Sequence, residues 1–311
     1  MERNLDLDIG DTNDFQFGVS LTEWNHSSLD YGYRLFVPET EYGGVIGDIE
    51  TSTKRGRVIV RGDTWRGMLG KKIVEPPKGS SHLTVSGELN AVISGILGNS
   101  FGDLFSVSQR DTGIIVNYQF DRYTTMLDGL TKMLSQVGYR LSIKYIERND
   151  GPGYVEIGAV KASDYSESIE FSQDYHINFI ARECRNGINH LICAGEGEEE
   201  GRLVLHLYAD ADGNIGETQY YTGLDERTAL YSYTSINDAE ELKKDGIERF
   251  KKLMNYKRFE MSVDNVELEV GDTVSGRDYI TGIYVKKPVV GKILKITDDR
   301  ETIDYTIEGD D

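Results

Sequence analysis

The sequence predicts a β-rich α+β protein with two small antiparallel β-barrels, an α/β middle domain and one inserted helix. Short stretches rich in Val, Ile, Thr and Tyr alternate with turns of Gly, Asp and Asn, and the chain has 34 Gly against 5 Pro. This punctuation is typical of antiparallel sheets with tight turns. Two central stretches instead show helical periodicity, and closely spaced strands follow them. The predicted domains are 1–77, 78–174 and 175–311.

The first domain is predicted to be all β. Residues 14–21 place apolar side chains at every second position from Phe15 to Leu21, which indicates a half-buried strand. Further strands are predicted at 35–37, 45–51 and 57–62, with the turn Lys54-Arg55-Gly56 before the last of them. The two prolines at 76 and 77 cannot donate ladder hydrogen bonds, so the barrel is expected to end there.

The middle domain is predicted to pack two helices on a mostly antiparallel sheet. Ser86 is predicted to cap a short helix that ends before Gly98. The stretch 123–137 carries an apolar stripe and predicts the second helix. The loop 149–153, Asn-Asp-Gly-Pro-Gly, predicts a hairpin between strands at 140–147 and 154–160.

The last domain is predicted to be a second barrel interrupted by a helix at about 237–254, with Asn237 as its cap. A turn at 210–214 is expected to join strands 203–208 and 218–221. The remaining predicted strands are 259–263, 266–269, 280–285, 289–296 and 302–307.

Charge and hydropathy exclude several classes of protein. The formal net charge of −19 repels phosphate backbones and anionic headgroups, so sequence-specific DNA binding and stable membrane insertion are not expected. Apolar runs fall far short of the roughly 20 residues that span a bilayer. The acidic first residues do not form a signal peptide. Cys184 and Cys193 lack a CxxC pattern, which favours free buried thiols in a reducing compartment over a disulfide.

No cofactor, no metal and no enzymatic activity are expected, and the residues alone support a β-rich binding or structural protein and name no active site. His190 and Cys193 are three apart, so in a strand they point to opposite faces and cannot share one ion. A Gly-x-Ser-x-Gly nucleophile motif is absent from the sequence. The run from Asp210 to Asn214 superficially has the alternating acids of a calcium loop, but strands flank it, and a hairpin turn is predicted.

The segment from Gly195 to Gly201 is the candidate contact with a partner. It contains four glutamates, which excludes a phosphate-binding loop because such loops present unopposed backbone N–H groups. Two interpretations stay open: a solvated acidic loop, or an electrostatic contact with a basic partner. The candidate residues are Glu196, Glu198, Glu199 and Glu200.

Longer motifs stand in order along nearly the whole chain. They are FVPETEYGGVI at 36–46, GDTWRGML at 62–69, YQFDRY at 118–123, RNGINHLIC at 185–193, LHLY at 205–208, QYYTGLDER at 219–227 and KP at 287–288. Together they resemble a family of siphophage-type tail proteins from phages and prophages of Gram-positive bacteria.

The resemblance implies a tail-tip or baseplate hub, similar to the N-terminal hub part of tail-associated lysins. Such hubs combine two small β-barrels with α/β insertions and close as a homotrimeric ring on the tail axis. The implied partners are further copies of the chain, the distal tail or tail tube protein, the tape measure protein and a spike, fibre or lysin subunit. DNA only passes through the lumen, the location is the virion tail, and the family pattern places no catalytic residue.

Two other functions stay open. A glycan-acting hydrolase would need a deep cleft with two carboxylates about 5 to 10 Å apart. A carbohydrate-binding adhesion protein would stay monomeric and bind glycans through exposed aromatic side chains, such as those of the Tyr-rich stretch 218–233.

Overall fold

The structure is a computed structural model that describes residues 4–24, 29–167, 170–172, 178–262, 267–297 and 300–310. It divides into two compact units. Unit 1 is Met1–Asn178, Met261–Ser275 and Pro288–Thr306, and unit 2 is Phe179–Glu260, Gly276–Lys287 and Ile307–Asp311. The boundaries at residues 77 and 174 stay a prediction.

The elements are numbered in chain order. The strands are β1 (Asn4–Ile9), β2 (Asp14–Ser20), β3 (Arg34–Phe36), β4 (Gly43–Ser52), β5 (Arg57–Thr64), β6 (Thr84–Glu88), β7 (Phe105–Val107), β8 (Ile115–Gln119), β9 (Tyr139–Ile146), β10 (Tyr154–Lys161), β11 (Glu170–Phe171), β12 (Asn178–Cys184), β13 (His190–Ala194), β14 (Val204–Ala209), β15 (Ile215–Gly216), β16 (Thr228–Ser232), β17 (Tyr256–Ser262), β18 (Thr273–Arg277), β19 (Tyr284–Thr297) and β20 (Arg300–Asp310). The α-helices are α1 (Trp65–Gly70), α2 (Leu89–Leu97), α3 (Met126–Ser135) and α4 (Ala239–Lys251).

Most strands of unit 1 form one sheet, in the order β20-β19-β1-β2-β5-β4-β3. Alternation along β1 and β2 buries Leu7, Ile9 and Phe15, as the sequence pattern predicts. Strand β1 lies antiparallel to β19, with Asn4 opposite Thr297. Strands dominate and helices are few, so the predicted β-rich α+β class is confirmed.

The two predicted closed barrels are not seen, because no sheet closes on itself among the described residues. The three-residue strand β3 pairs with β4 at one edge of the large sheet, and the order ends there. Alternating side chains identify the buried face of a strand, but closure depends on the tilt and stagger of all the strands together. The sequence pattern therefore predicted the strands and not the path of the sheet.

Two helices and two small sheets form the middle of unit 1. The helix predicted at 123–137 is confirmed as α3, and Thr125 caps it by accepting a hydrogen bond from the Asp128 amide. The cap of α2 differs from the prediction. Glu88, not Ser86, accepts from the amide of Ala91 at 2.9 Å, because residues 84–88 are paired as β6 with β8. The predicted hairpin is confirmed as β9 and β10.

Two of the sequence motifs meet in the core of unit 1. The short helix α1, which the sequence analysis does not predict, buries Trp65 completely, and its ring stacks on Tyr145 at 5.6 Å. A Cβ at Gly43 would lie 2.7 Å from Trp65 Nε1, so the close approach requires glycine. Arg66 and Glu41 form an ion pair in which each side chain is 3% exposed. Motifs 36–46 and 62–69 are thus joined by packing and charge.

Unit 2 contains a four-stranded sheet in the order β15-β14-β13-β16, with α4 packed on one face. A Cβ at Gly246 would lie 2.5 Å from Cys193 Sγ, so the helix approaches the sheet closely there. The predicted inserted helix is confirmed, although Asp238 rather than Asn237 is its cap. The core between helix and sheet includes Leu191, Cys193, Leu207, Leu242 and Phe250.

Three predicted strands differ in the structure, and one of them is 280–285, of which only Tyr284 and Val285 belong to a strand, β19. The tight turn pairs Ala209 with Ile215, so the partner of β14 follows the turn directly and 218–221 is not a strand. Residues 267–269 of the predicted strand 266–269 are also outside any strand, because the Leu268 amide donates to the Tyr305 hydroxyl instead of a ladder carbonyl. Residue 266, and residue 263 of the predicted strand 259–263, lie outside the described residues. Among the described residues, no helix is long and apolar enough to span a bilayer.

Candidate functional site

The candidate glutamates lie on the loop that joins β13 to β14, here called the acidic loop (residues 196–200). Backbone hydrogen bonds close its base: the Gly195 amide donates to Leu203 O at 2.8 Å, and the Leu203 amide donates to Glu196 O at 2.9 Å. A Cβ at Gly197, where φ is +109°, would lie 2.6 Å from Gly201 O. The loop is therefore a compact hairpin tip that holds all four glutamates exposed.

The acidic loop carries uncompensated negative charge. Within the described part of the chain, its four carboxylates form no ion pair. The neighbouring cation, Arg202, donates instead to Gly195 O at 3.1 Å and to Ser232 Oγ at 2.7 Å. These bonds fix the base of the loop and leave its charge facing solvent. Contact of this loop with a partner stays a prediction.

The acidic loop lies at one end of the four-stranded sheet, whose second face does not carry α4. We call this second face the outer face and define it by His190, Ile192, Val204, His206 and Leu230. Register places Ile192 between His206 and Leu230, so these side chains form one row across three strands. Leu230 is 66% exposed and Val204 43% exposed. The sheet thus buries the face that packs against α4 and leaves the outer face exposed to solvent.

A hydrogen-bonded cluster crosses the outer face at His190. Its Nδ1 lies 2.7 Å from Glu226 Oε1, and its Nε2 lies 2.8 Å from His206 Nδ1. In the tautomer of a neutral His190 that donates Nδ1–H to the carboxylate, Nε2 accepts a hydrogen bond from Nδ1–H of His206. The Tyr208 ring stacks on His190 at 4.3 Å. The cluster ties three segments of unit 2 together.

This cluster was not predicted from the sequence, where His190 stands out only through its spacing from Cys193. The structure places these two side chains on opposite faces, as predicted. The signal lay in the cross-strand register of β13 with β14, which sets Ile192 opposite His206 and brings the two imidazoles into diagonal contact. Register depends on the turn and on pairing, and neither can be obtained from alternation within one strand.

The turn at 210–214 engages its first carboxylate fully. Asp210 Oδ1 accepts from the amides of Asp212 and Asn214, each at 2.9 Å, and Oδ2 accepts from Asn214 Nδ2 at 3.0 Å. The Asn214 side chain and these amides lower the pKa of Asp210. The predicted hairpin turn is confirmed. No group of three or more His, Cys, Asp or Glu side chains suited to a metal ion occurs among the described residues.

Both cysteines are free thiols. Burial, with the nearby Asp245 carboxylate, raises the pKa of Cys193 to about 11, so this side chain is a neutral core group at physiological pH. Cys184 is half-buried, and its Sγ lies 2.8 Å from Asn186 Oδ1.

A polar cleft of about 450 Å³ opens at the other end of the sheet. Its lining includes Asp210, which the turn engages, and Glu183, which accepts from Arg185 Nε at 2.7 Å. Tyr221 and Asp212 also line the cleft. Two of its carboxylates are therefore committed to local structure.

Comparison with solved structures identifies the fold of this chain, whereas comparison of sequences does not. No family model matches the sequence, and no curated protein matches it. The crystal structure of the tail protein from Neisseria meningitidis MC58 is similar, with a TM-score of 0.51 and 14% identity, over 99% of this chain and 92% of that one. The chain has the fold of a tail protein.

Two further solved structures are similar at lower scores. The 43 kDa tail protein of prophage MuSo2 from Shewanella oneidensis gives a TM-score of 0.49 at 12% identity, over 98% of this chain and 93% of that one. A prophage tail protein from Listeria monocytogenes EGD-e gives 0.46 at 13% identity, over 99% and 87%.

Proposed function

We propose that this chain is a structural hub protein of a phage tail tip or baseplate, or of a phage-derived device. The observation that carries the proposal is the tail-protein fold, which extends over 99% of this chain. The motif series along the sequence supports the same role. In this role the chain joins the tail tube to spike, fibre or lysin components and resides in the virion tail.

The hub acts as a homotrimeric ring on the tail axis. A ring closes through heterologous contacts, so each copy presents two different and complementary patches. The composition of the surface supports an assembling role for unit 2. Among the described residues, unit 2 supplies nine of the seventeen exposed large hydrophobic side chains, although it holds less than a third of the chain. Where such side chains form a contiguous patch, they mark a surface for a protein partner.

The net charge of −19 suits a ring through which DNA passes. Like charge prevents the phosphate backbone from adhering to the wall of the lumen. The distal tail or tail tube protein and the tape measure protein then bind the ring at its ends, and DNA is a passing cargo rather than a ligand.

In this proposal the chain itself performs no hydrolysis, and a separate subunit degrades the cell wall or binds the receptor. The engaged carboxylates of the polar cleft support this assignment. The check is incubation of the purified chain with peptidoglycan. Release of soluble muropeptides by the wild type, lost on substitution of two cleft acids, would establish the hydrolase instead.

Light scattering after size exclusion tests the ring, because the mass gives the number of chains directly. We expect three copies per particle and a ring with a central hole in negative-stain micrographs. Antibodies to the chain are expected to label the distal end of tails. A chain that stays monomeric at every concentration, or a label elsewhere on the particle, would overturn the proposal.

A further inference from the structure

The outer face of the four-stranded sheet has an apolar part, formed by Ile192, Val204 and Leu230, that the described residues leave open. Leu230 and Val204 are 66% and 43% exposed, and Ile192 lies between β14 and β16 with its side chain on the same face. Three strands spaced about 4.8 Å apart, each rising about 3.4 Å per residue, make a surface roughly 10 Å by 14 Å. This is the size of an interface centre and not of a whole interface.

The rim of the outer face is acidic. The acidic loop follows directly from β13 and leads into β14 at the Val204 end, and Glu226 lies near the opposite end beside His190. An apolar centre with a charged rim is the usual organisation of a protein interface. A partner that fits this surface combines an apolar contact with positive charge, since an acidic rim repels an acidic partner.

The chain itself carries a surface with this chemistry, on the hairpin of β4 and β5. We define the basic tip as Lys54, Arg55 and Arg57. These three cations stand within four residues, and within the described part of the chain none forms an ion pair. Beside them, Leu21 is 41% exposed and its amide donates to Gly56 O at 3.2 Å. The tip thus unites an apolar side chain, long aliphatic stems and three positive charges.

We infer that the outer face of one copy binds the basic tip of the next copy. Leu21 follows β2 and adjoins the basic tip, so it can lie over Leu230 and Val204 of the next copy while the cations reach the acidic loop. The two patches are different and complementary, which is the requirement for a contact that closes a ring. This inference rests on the proposed function, because it names the contact that joins the copies.

Several other cations of the chain have local roles. Lys243 pairs with Glu217 at 2.5 Å, and Lys71 pairs with Asp63 at 2.7 Å. Arg249 and Lys251 stand in the last turn of α4, where positive charge stabilises the carbonyl end of the helix. Within the described residues, the cations of the basic tip neither form an ion pair nor stand at the end of a helix.

The test reverses charge at each patch and measures assembly of the full chain by light scattering. The loop variant is Glu198→Lys with Glu200→Lys, which leaves Glu199 and its φ of +49° unchanged. The tip variant is Lys54→Glu with Arg55→Glu. We expect each variant to raise the concentration at half assembly about tenfold or more. A chain with all four substitutions is expected to assemble as the wild type does, because the attraction is restored with opposite signs.

The matched control reverses two exposed acids of another hairpin, Glu147→Lys and Asp150→Lys, with the same change in net charge as the loop variant. It is expected to assemble normally. At about 1 M NaCl the Debye length is about 3 Å, so the wild-type chain is expected to assemble as weakly as the loop variant and the tip variant do. Leu230→Thr, which suits an exposed strand, is expected to weaken assembly at both salt concentrations.

The outcomes separate the two proposals. If the loop variant and the tip variant both assemble as the wild type does, this contact is wrong and the proposed ring is unaffected. The same holds if the chain with all four substitutions fails to assemble while its circular dichroism matches that of the wild type. A wild-type chain that is monomeric at every concentration would overturn the ring and this contact together.

Discussion

The buried ion pair of Glu41 and Arg66 allows the sharpest test of the core of unit 1. Each side chain is 3% exposed, and the Arg66 Nη2 also lies 3.4 Å from Leu141 O. Glu41→Ala removes the counter-ion and leaves a guanidinium buried with one long backbone contact. Breaking a buried pair in this way costs about 3 to 5 kcal/mol, because the remaining charge stays desolvated. We expect the free energy of unfolding of unit 1 to fall by that amount.

Urea-induced unfolding followed by tryptophan fluorescence measures this loss, because both tryptophans, at 24 and 65, belong to unit 1. Lys71→Ala is the control, since Lys71 is 69% exposed in its pair with Asp63 and its removal should cost about 1 kcal/mol or less. Replacing both partners with apolar residues, Glu41→Leu with Arg66→Met, should recover most of the loss. A cost for Glu41→Ala no larger than that of the control would refute the reasoning.

Three further predictions concern unit 2. Gly246→Ala should destabilise the unit by about 1 to 3 kcal/mol, measured by thermal unfolding, because the new Cβ would lie 2.5 Å from Cys193 Sγ; an unchanged melting temperature would contradict this. At pH 8 the thiol of Cys193, whose pKa is raised to about 11 by burial, should react with Ellman's reagent only after unfolding, whereas equal rates in native and denatured protein would disprove the burial. The lowered pKa of Asp210 means that its stabilising contribution is present above its unfolded pKa and is lost as the pH falls through its folded pKa. Asp210→Ala should therefore lower stability at neutral pH and flatten the acid limb of the stability curve, and an unaltered acid limb would exclude that role.

The sequence predicted best the elements that short-range signals specify. Helix α3 has an apolar stripe and the capping Thr125, and the β9–β10 hairpin has a strong turn at 149–153. Helix α1 was missed because it has only six residues, too few for a periodic pattern. Its place is set by the pair of Arg66 with Glu41, 25 positions away along the chain. Such long-range contacts leave no trace in local periodicity.

The sequence predicts the negative charge of the candidate site, but it does not predict which side chains lie beside that charge. Composition alone indicated an exposed acidic loop at 196–200, and the structure places it at a hairpin tip. The contact of His190 with His206 depends on the register of β13 with β14, whereas the places of Leu230 and Glu226 beside them depend on the parallel pairing of β16 with β13. That pairing follows a connection of some thirty residues after β13, and the turn chemistry of the sequence does not specify it.

The pairing of β1 with β19 has a consequence for how the protein is made. Asn4 leaves the ribosome long before its partner Thr297, which lies 297 − 4 = 293 positions further along the chain. Until then, one edge of β1 exposes unpaired N–H and C=O groups, which can bind other nascent chains. Folding of the large sheet therefore awaits the synthesis of β19, and the high contact order makes it slow. Slowing translation of the codons between β1 and β19 should consequently increase aggregation of this chain during expression, and co-expressed chaperones should relieve it.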